Sequence, residues 1–221
     1  MLTGTHRAGS AHARAGAGRT GVRDARLRHH GRVTSPDGPA LVLAVCTGNI
    51  CRSPAVERLL AARLAGTDVV VASAGTRGVV GAPVSAPMVP LVEAAGASAD
   101  GFVARRLTAG VARDADLVLA LTRGHRAAVV ETVPALVRRT FTLLELARLL
   151  EHVDPDELRA AGDTVGARVR ALPRLVTAVR HLAGRGEDDV VDPYGGSAAL
   201  YRESFGQLAP AVEAVAAALR A

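Results

Sequence analysis

"LVLAVCTGNICRSP", Leu41 to Pro54, passes from five apolar residues through a short polar loop into a Ser-Pro pair. The apolar run is strand-length and does not alternate with polar residues, which is the pattern of a strand buried on both faces. Ser53 and Pro54 form a helix start, and Val56, Leu59, Leu60 and Leu64 give that helix one apolar face. A buried strand leading directly into a helix opens an α/β pattern, and the rest of the chain continues it.

"DVVVAS" (68–73), "ADLVLAL" (115–121) and "RRTFTL" (138–143) read as the second, third and fourth strands. Helices are expected around 85–96, with Met88, Leu91, Val92 and Ala95 inward and Gly96 as the stop, and near 124–131. A short helix follows through Leu150. Residues 154–185 hold two helical patches, with Val169, Leu172, Leu175, Val176 and Val179 as apolar positions. A last helix carries Leu208, Val212, Val215 and Leu219 on one face. The expected fold is a three-layer α/β sandwich: a central four-stranded parallel sheet flanked by helices. Its ligand loop should follow the first strand, since such folds bind ligands where strands end.

The net charge of +6 is unevenly placed. Residues 1–39 hold seven arginines against two aspartates, whereas 40–221 are nearly balanced, and no basic residue is a lysine. This Gly/Ala/Arg/His-rich tail has almost nothing to bury and is expected to be disordered and solvated, so no nucleic acid is expected as a partner. The domain is then 40–221, with a helical insertion near 154–185. No apolar run reaches the ~18 residues of a membrane span, and no secretory apolar segment opens the chain, so a cytoplasmic protein without membrane contact is expected. Two cysteines five positions apart make a poor disulfide framework, and without partner ligands nearby they make a poor zinc site. No metal or cofactor is expected, and reactivity is the reading that remains.

A loop between a strand and a helix points successive N–H groups into one concavity, to which the helix adds its positive end. That cradle suits a tetrahedral oxyanion, and its field favours the thiolate of a cysteine at its first position. Cys46 is thus the candidate nucleophile, with Thr47, Gly48, Asn49, Ile50, Cys51 and Ser53 forming the rest of a phosphate-binding loop. Gly48 allows close approach and Asn49 is a residue type that tolerates a left-handed backbone. Ser53 can donate its hydroxyl to the thiolate. Arg52 offers a planar fork for two phosphoryl oxygens. The leaving oxygen also needs a proton donor. Asp192 in "VVDPYGG" is the candidate, with Tyr194 as an apolar wall for a flat substrate. Asp188 and Asp189 read as a solvated acidic run, and His125 as a surface residue at a helix start.

These segments resemble the low-molecular-weight protein tyrosine phosphatases. The family's signature, a cysteine, five residues, then Arg-Ser, is present as "CTGNICRSP" (46–54), and its late Asp-Pro-aromatic element as "DPY" (192–194). "SAGT" (73–76), "ARRLT" (104–108) and "ADLVLALTRGHR" (115–126) also resemble family segments, in the family's order. The resemblance implies hydrolysis of phosphotyrosine in a protein substrate without a metal. Cys46 would form the phosphocysteine, Arg52 and the loop amides would bind phosphate, and Asp192 would act as acid and then base. It also implies a redox role for Cys51, which could form a reversible disulfide with Cys46; a small buried residue is the other reading of Cys51.

The chain departs from the family in three places. Phe102 stands where a histidine often precedes "Ala-Arg", the loop after "SAGT" lacks an aromatic, and helices are inserted near 154–185. Competing functions are arsenate reduction with an external small thiol, phosphoarginine hydrolysis, and a non-catalytic phosphoprotein-binding module. The chain has only two cysteines, so it lacks the pair outside the loop that a thioredoxin relay needs. Ile50, where the phosphoarginine branch tends to carry threonine, favours tyrosine. Retention of Cys46, Arg52 and Asp192 together argues against a pure binder. The sequence leaves the oligomeric state open.

Overall fold

The computed structural model describes Met1 and residues 38–184 and 186–221. Apart from its first and last two residues, the tail expected at 1–39 lies outside the described residues. Strand β1 is Ala40–Cys46 and passes through the polar loop into helix α1, Arg52–Arg63. Then come β2 (Val69–Gly75), α2 (Val89–Ala94), α3 (Ala109–Ala112), β3 (Leu117–Ala120), α4 (Arg123–Thr132) and β4 (Thr140–Thr142). Helices α5 (Leu143–Leu150), α6 (Pro155–Ala160), α7 (Val165–Ala178) and α8 (Ala198–Arg220) complete the chain.

The four strands form one parallel sheet in the order β2-β1-β3-β4. Because strand side chains alternate, β1 serves both faces. Val42 and Ala44 enter a core with Leu59 and Leu60 of α1, Leu146 of α5, Val176 of α7 and Val212 of α8. Leu43 and Val45 enter the opposite core with Ala112 of α3 and Val129 of α4. This is the expected three-layer sandwich, with β1 central and the loop after it at the carboxyl ends of the strands.

Two elements are shorter than the sequence suggests. The helix expected around 85–96 is reduced to α2, because Pro87 and Pro90 lack N–H donors and proline disfavours a helical residue before it. The fourth strand stops at Thr142 because that residue caps α5. Its Oγ1 accepts from the Glu145 N–H at 3.1 Å, while Glu145 Oε2 accepts from the Thr142 N–H at 3.3 Å.

The helices of residues 154–185 join the main core. Val169, Leu172 and Val176 of α7 are fully buried in it, and Leu158 of α6 almost so. The start of α7 is fastened beneath the amino ends of the strands. Asp68, just before β2, accepts from the Gly166 N–H at 2.8 Å and from Thr164 Oγ1 at 2.7 Å. Asp116, just before β3, accepts from the Leu41 N–H at 2.9 Å and lies 3.7 Å from Arg170 Nε. This end of the sheet is opposite the loop, and α6 and α7 extend the core there.

Candidate active site

Residues 47–51 link β1 to α1, and their backbone polar groups are sorted by direction. The carbonyls of Cys46, Thr47 and Gly48 accept from the N–H groups of Thr76, Arg77 and Val79, each at 2.9 Å, and Ile50 O accepts from the Ser85 N–H at 2.7 Å. Among the described residues no acceptor is paired with the N–H groups of Thr47 through Cys51. Helix α1 begins with no side-chain cap and no acidic residue in its first turn. The loop therefore presents a ring of unfilled donors at a positive helix end, which is a receptor for an oxyanion.

This shape depends on two backbone features. Asn49 has φ of 56°, the single non-glycine residue with positive φ among the described residues. Its fully buried side chain holds that turn: Nδ2 donates to Ser53 Oγ (3.0 Å) and to Ser73 Oγ (2.7 Å), and Oδ1 accepts from the Arg105 N–H (2.8 Å). Gly75, ending β2, lies so close that a Cβ there would be 2.5 Å from Thr47 O and 2.9 Å from Asn49 N. Ser73 Oγ donates in turn to Glu57 Oε2 at 2.6 Å. Burial pushes the Glu57 carboxyl up from its ordinary value, against the Ser73 hydrogen bond and the charges of Arg105 and Arg58.

Cys46 Sγ lies 2.9 Å from the buried Ser53 Oγ, a contact in which either group can donate. Ahead of it is a cavity of about 180 Å³. Of the residues expected to contact ligand, Cys46, Thr47, Gly48, Ile50, Cys51, Arg52, Asp192 and Tyr194 line this cavity, and Asn49 and Ser53 lie behind it. Arg52 is 3% exposed: Nη1 donates to Val190 O at 3.0 Å and Nη2 pairs with Asp192 Oδ2 at 2.6 Å. Its buried Nε has no partner among the described residues. The clamp is thus aimed by the acid's own loop and keeps one donor open.

That loop is fixed on several sides. Val190 N–H donates to Leu121 O at 2.9 Å, and Val191 donates to Gln207 Oε1 at 2.9 Å and accepts from Ser204 Oγ at 2.9 Å. Asp188 and Asp189 are not a free acidic run. Asp188 pairs with Arg148 at 2.9 Å, and Asp189 accepts from the Arg123 N–H at 2.7 Å. Asp192 itself is half exposed at the cavity, and Tyr194 stands at the rim, 70% exposed.

Sequence reasoning missed several neighbours. His125 is not a surface residue: it is 7% exposed, with Nε2 2.8 Å from Thr47 Oγ1 and Nδ1 2.9 Å from Thr122 Oγ1. Burial, aided by the Arg52 charge, pushes its pKa down to about 4, so the imidazole is neutral at neutral pH. Tyr201 of α8 places its hydroxyl 3.6 Å from Cys51 Sγ and 2.9 Å from Ser85 Oγ. Burial pushes the Cys51 thiol up, against the hydrogen bonds of Tyr201 and Ser85. Both cysteines are free thiols. Arg77 and Val79, from the loop after β2, also line the cavity. A sequence signal existed for Arg77 and Val79, which lie just after "SAGT", and for His125, which lies within the family-like segment 115–126, but not for Tyr201.

A family model described as low molecular weight phosphotyrosine protein phosphatase matches residues 41–163. The chain is similar to the low molecular weight protein-tyrosine-phosphatase Etp of Escherichia coli K12. The identity is 42% over 114 residues, which cover 52% of this chain and 76% of that one. Among solved structures, it is similar to the tyrosine phosphatase AmsI of Erwinia amylovora. That match has 26% identity and a TM-score of 0.57, over 79% of this chain and 89% of that one. It is likewise similar to the YwlE arginine phosphatase of Geobacillus stearothermophilus, at 27% identity and a TM-score of 0.58, over 82% and 94% of the two chains.

Proposed function

The chain belongs to the low molecular weight phosphotyrosine protein phosphatase family, and from that premise we propose how its own residues hydrolyse phosphotyrosine. The observation that carries the reading is one cavity holding Cys46 Sγ, the open N–H ring and the Arg52–Asp192 pair. An entering phosphoryl group occupies the N–H ring and takes the free Nε of Arg52, displacing the carboxylate as partner of that guanidinium. Charge on the equatorial oxygens is then met by fixed donors that need no reorganisation.

Cys46 Sγ attacks phosphorus from within the loop, and the bond to the phenolic oxygen breaks on the opposite side. Asp192, which takes up a solvent proton once it is released from Arg52, gives that proton to the phenolic oxygen, and the phenol leaves. Asp192, now a carboxylate, takes a proton from a water that attacks the cysteinyl phosphate, releasing inorganic phosphate and the thiolate. Ser53 donates to the thiolate, and Asn49 and His125 hold the loop from behind. Cys51 is a redox guard for Cys46 in this reading. The step requires no metal, because Arg52 and the amides supply the positive charge that a metal would bring. A reducing compartment such as the cytoplasm keeps both thiols free. The phosphatase domain is residues 40–221, with 154–185 as an added helical segment.

A second reading, phosphoarginine hydrolysis, is favoured by the fold likeness to an arginine phosphatase. Ile50 on the cavity wall favours the flat apolar ring instead. Turnover of matched phosphotyrosine and phosphoarginine peptides decides between them. Higher kcat/KM on phosphotyrosine is expected, with turnover unaffected by a chelator. Preference for phosphoarginine would overturn the tyrosine reading.

A further inference from the structure

Resting on the phosphotyrosine reading, we propose that Arg77, with Arg106 beside it, is a specificity residue that selects phosphotyrosines flanked by acidic side chains. The catalytic charges of the cavity already answer each other, since Arg52 is buried and paired with Asp192. Arg77 differs in every respect. It lines the same cavity but is exposed, and among the described residues no carboxylate pairs with it. A cation at the rim faces the part of a substrate that remains outside the cavity.

Its backbone is also fixed in register with the phosphate loop. The N–H groups of Thr76, Arg77 and Val79 donate to the carbonyls of Cys46, Thr47 and Gly48, so this segment runs along the loop as a short ladder. Gly78 lies so close to the next segment that a Cβ there would be 2.9 Å from Arg106 Cα. Arg106 is exposed and, among the described residues, likewise has no carboxylate partner. Arg77 therefore stands at the cavity, and Arg106 lies on the abutting segment, which is bridged to Gly75 two residues before Arg77. Val79 and Val80, 49% and 70% exposed, add an apolar strip next to them. A peptide whose phosphotyrosine is seated in the loop lays its neighbours over this edge, where a carboxylate gains and a basic side chain is repelled.

The test compares kcat/KM on phosphotyrosine peptides with glutamate, glutamine or lysine at the flanking positions, each normalised to turnover of a small aryl phosphate by the same variant. Wild type should prefer glutamate over glutamine by roughly two- to fivefold, the range of an exposed ion pair, with the preference shrinking as salt is raised. Arg77→Ala should remove most of it, Arg77→Glu should reverse it towards lysine, and Arg106→Ala should produce a smaller loss. Turnover without any acidic preference, or a preference unmoved in Arg77→Glu, overturns this proposal alone. An equal fall on the aryl phosphate and on all peptides in Arg77→Ala shows that Arg77 acts on the phosphate itself and also overturns it. Absence of turnover on every substrate overturns this proposal and the phosphatase reading together.

Discussion

The two ends of the sheet are built from similar materials and treated in opposite ways. At the amino ends of the strands every prominent polar group is answered: Asp68 receives Thr164 and Gly166, and Asp116 receives Leu41 and faces Arg170. At the carboxyl ends, carbonyls are answered and N–H groups are left open. The helices show the same contrast. Thr122, Thr142, Thr164 and Ser197 cap α4, α5, α7 and α8 with their side-chain oxygens, whereas α1 has no such cap. A missing cap costs about 1 kcal/mol, and leaving the cost uncompensated is what turns a helix start into a binding site. One end of the molecule saturates its polar groups to stabilise the fold. The other withholds partners so that a substrate can supply them.

This contrast predicts that changes at the carboxyl end act on turnover and changes at the amino end act on stability. The largest effect is expected for Cys46→Ser, which should lower kcat on an aryl phosphate by at least about 10⁴-fold with the fold intact. Release of the phenol at near wild-type rate would remove Cys46 from the chemistry. Asp192→Asn should come next, with kcat reduced roughly 10²- to 10³-fold for a poor leaving group and less for an activated phenol. Equal losses on the two leaving groups would show that Asp192 is not the acid.

A third effect crosses the divide, because His125 is a saturated, buried group lying under the open loop. Its folded pKa of about 4 is below the ordinary 6.5, so the unfolded chain binds the extra proton first. Its contribution to stability is therefore whole above about pH 6.5 and declines as the pH falls towards about 4, by up to about 3 kcal/mol. Denaturation curves across that window should show the slope in wild type and a flatter one in His125→Gln. An unchanged slope would mean that His125 does not titrate in this way. The smallest effect is expected for Asp68→Ala. Burial pushes the Asp68 carboxyl up, but the hydrogen bonds from Thr164 and Gly166 outweigh it and hold the group below its ordinary range. Losing them should cost about 1 to 2 kcal/mol of stability and leave kcat/KM unchanged. A fall in kcat/KM would show that the two ends are coupled.

The α/β layering and the nucleophile loop could be read from the chain because each rests on contiguous residues. Apolar runs announce strands, a Ser-Pro pair announces α1, and the Cys46 to Arg52 spacing lies within one turn of backbone. Helix limits were harder to read where competing local rules met. Pro87 and Pro90 shortened α2, and the capping box at Thr142 cut β4. His125 looked like an exposed helix-start residue because nothing nearby in sequence shows that Thr47 lies above it. Asp188 and Asp189 looked solvated for the same reason.

By itself, then, the sequence determined which residues could carry the chemistry: a cysteine, an arginine and an aspartate in recognisable local settings. Tertiary structure alone decided that Asp192 meets Arg52 across 140 positions of chain, that Asn49 is locked by Ser73 and Arg105, and that α7 fastens the far end of the sheet. The physical reason is range. Strand, cap and loop preferences are set by neighbours along the chain, whereas burial and ion pairing depend on which distant segments the packed core brings together.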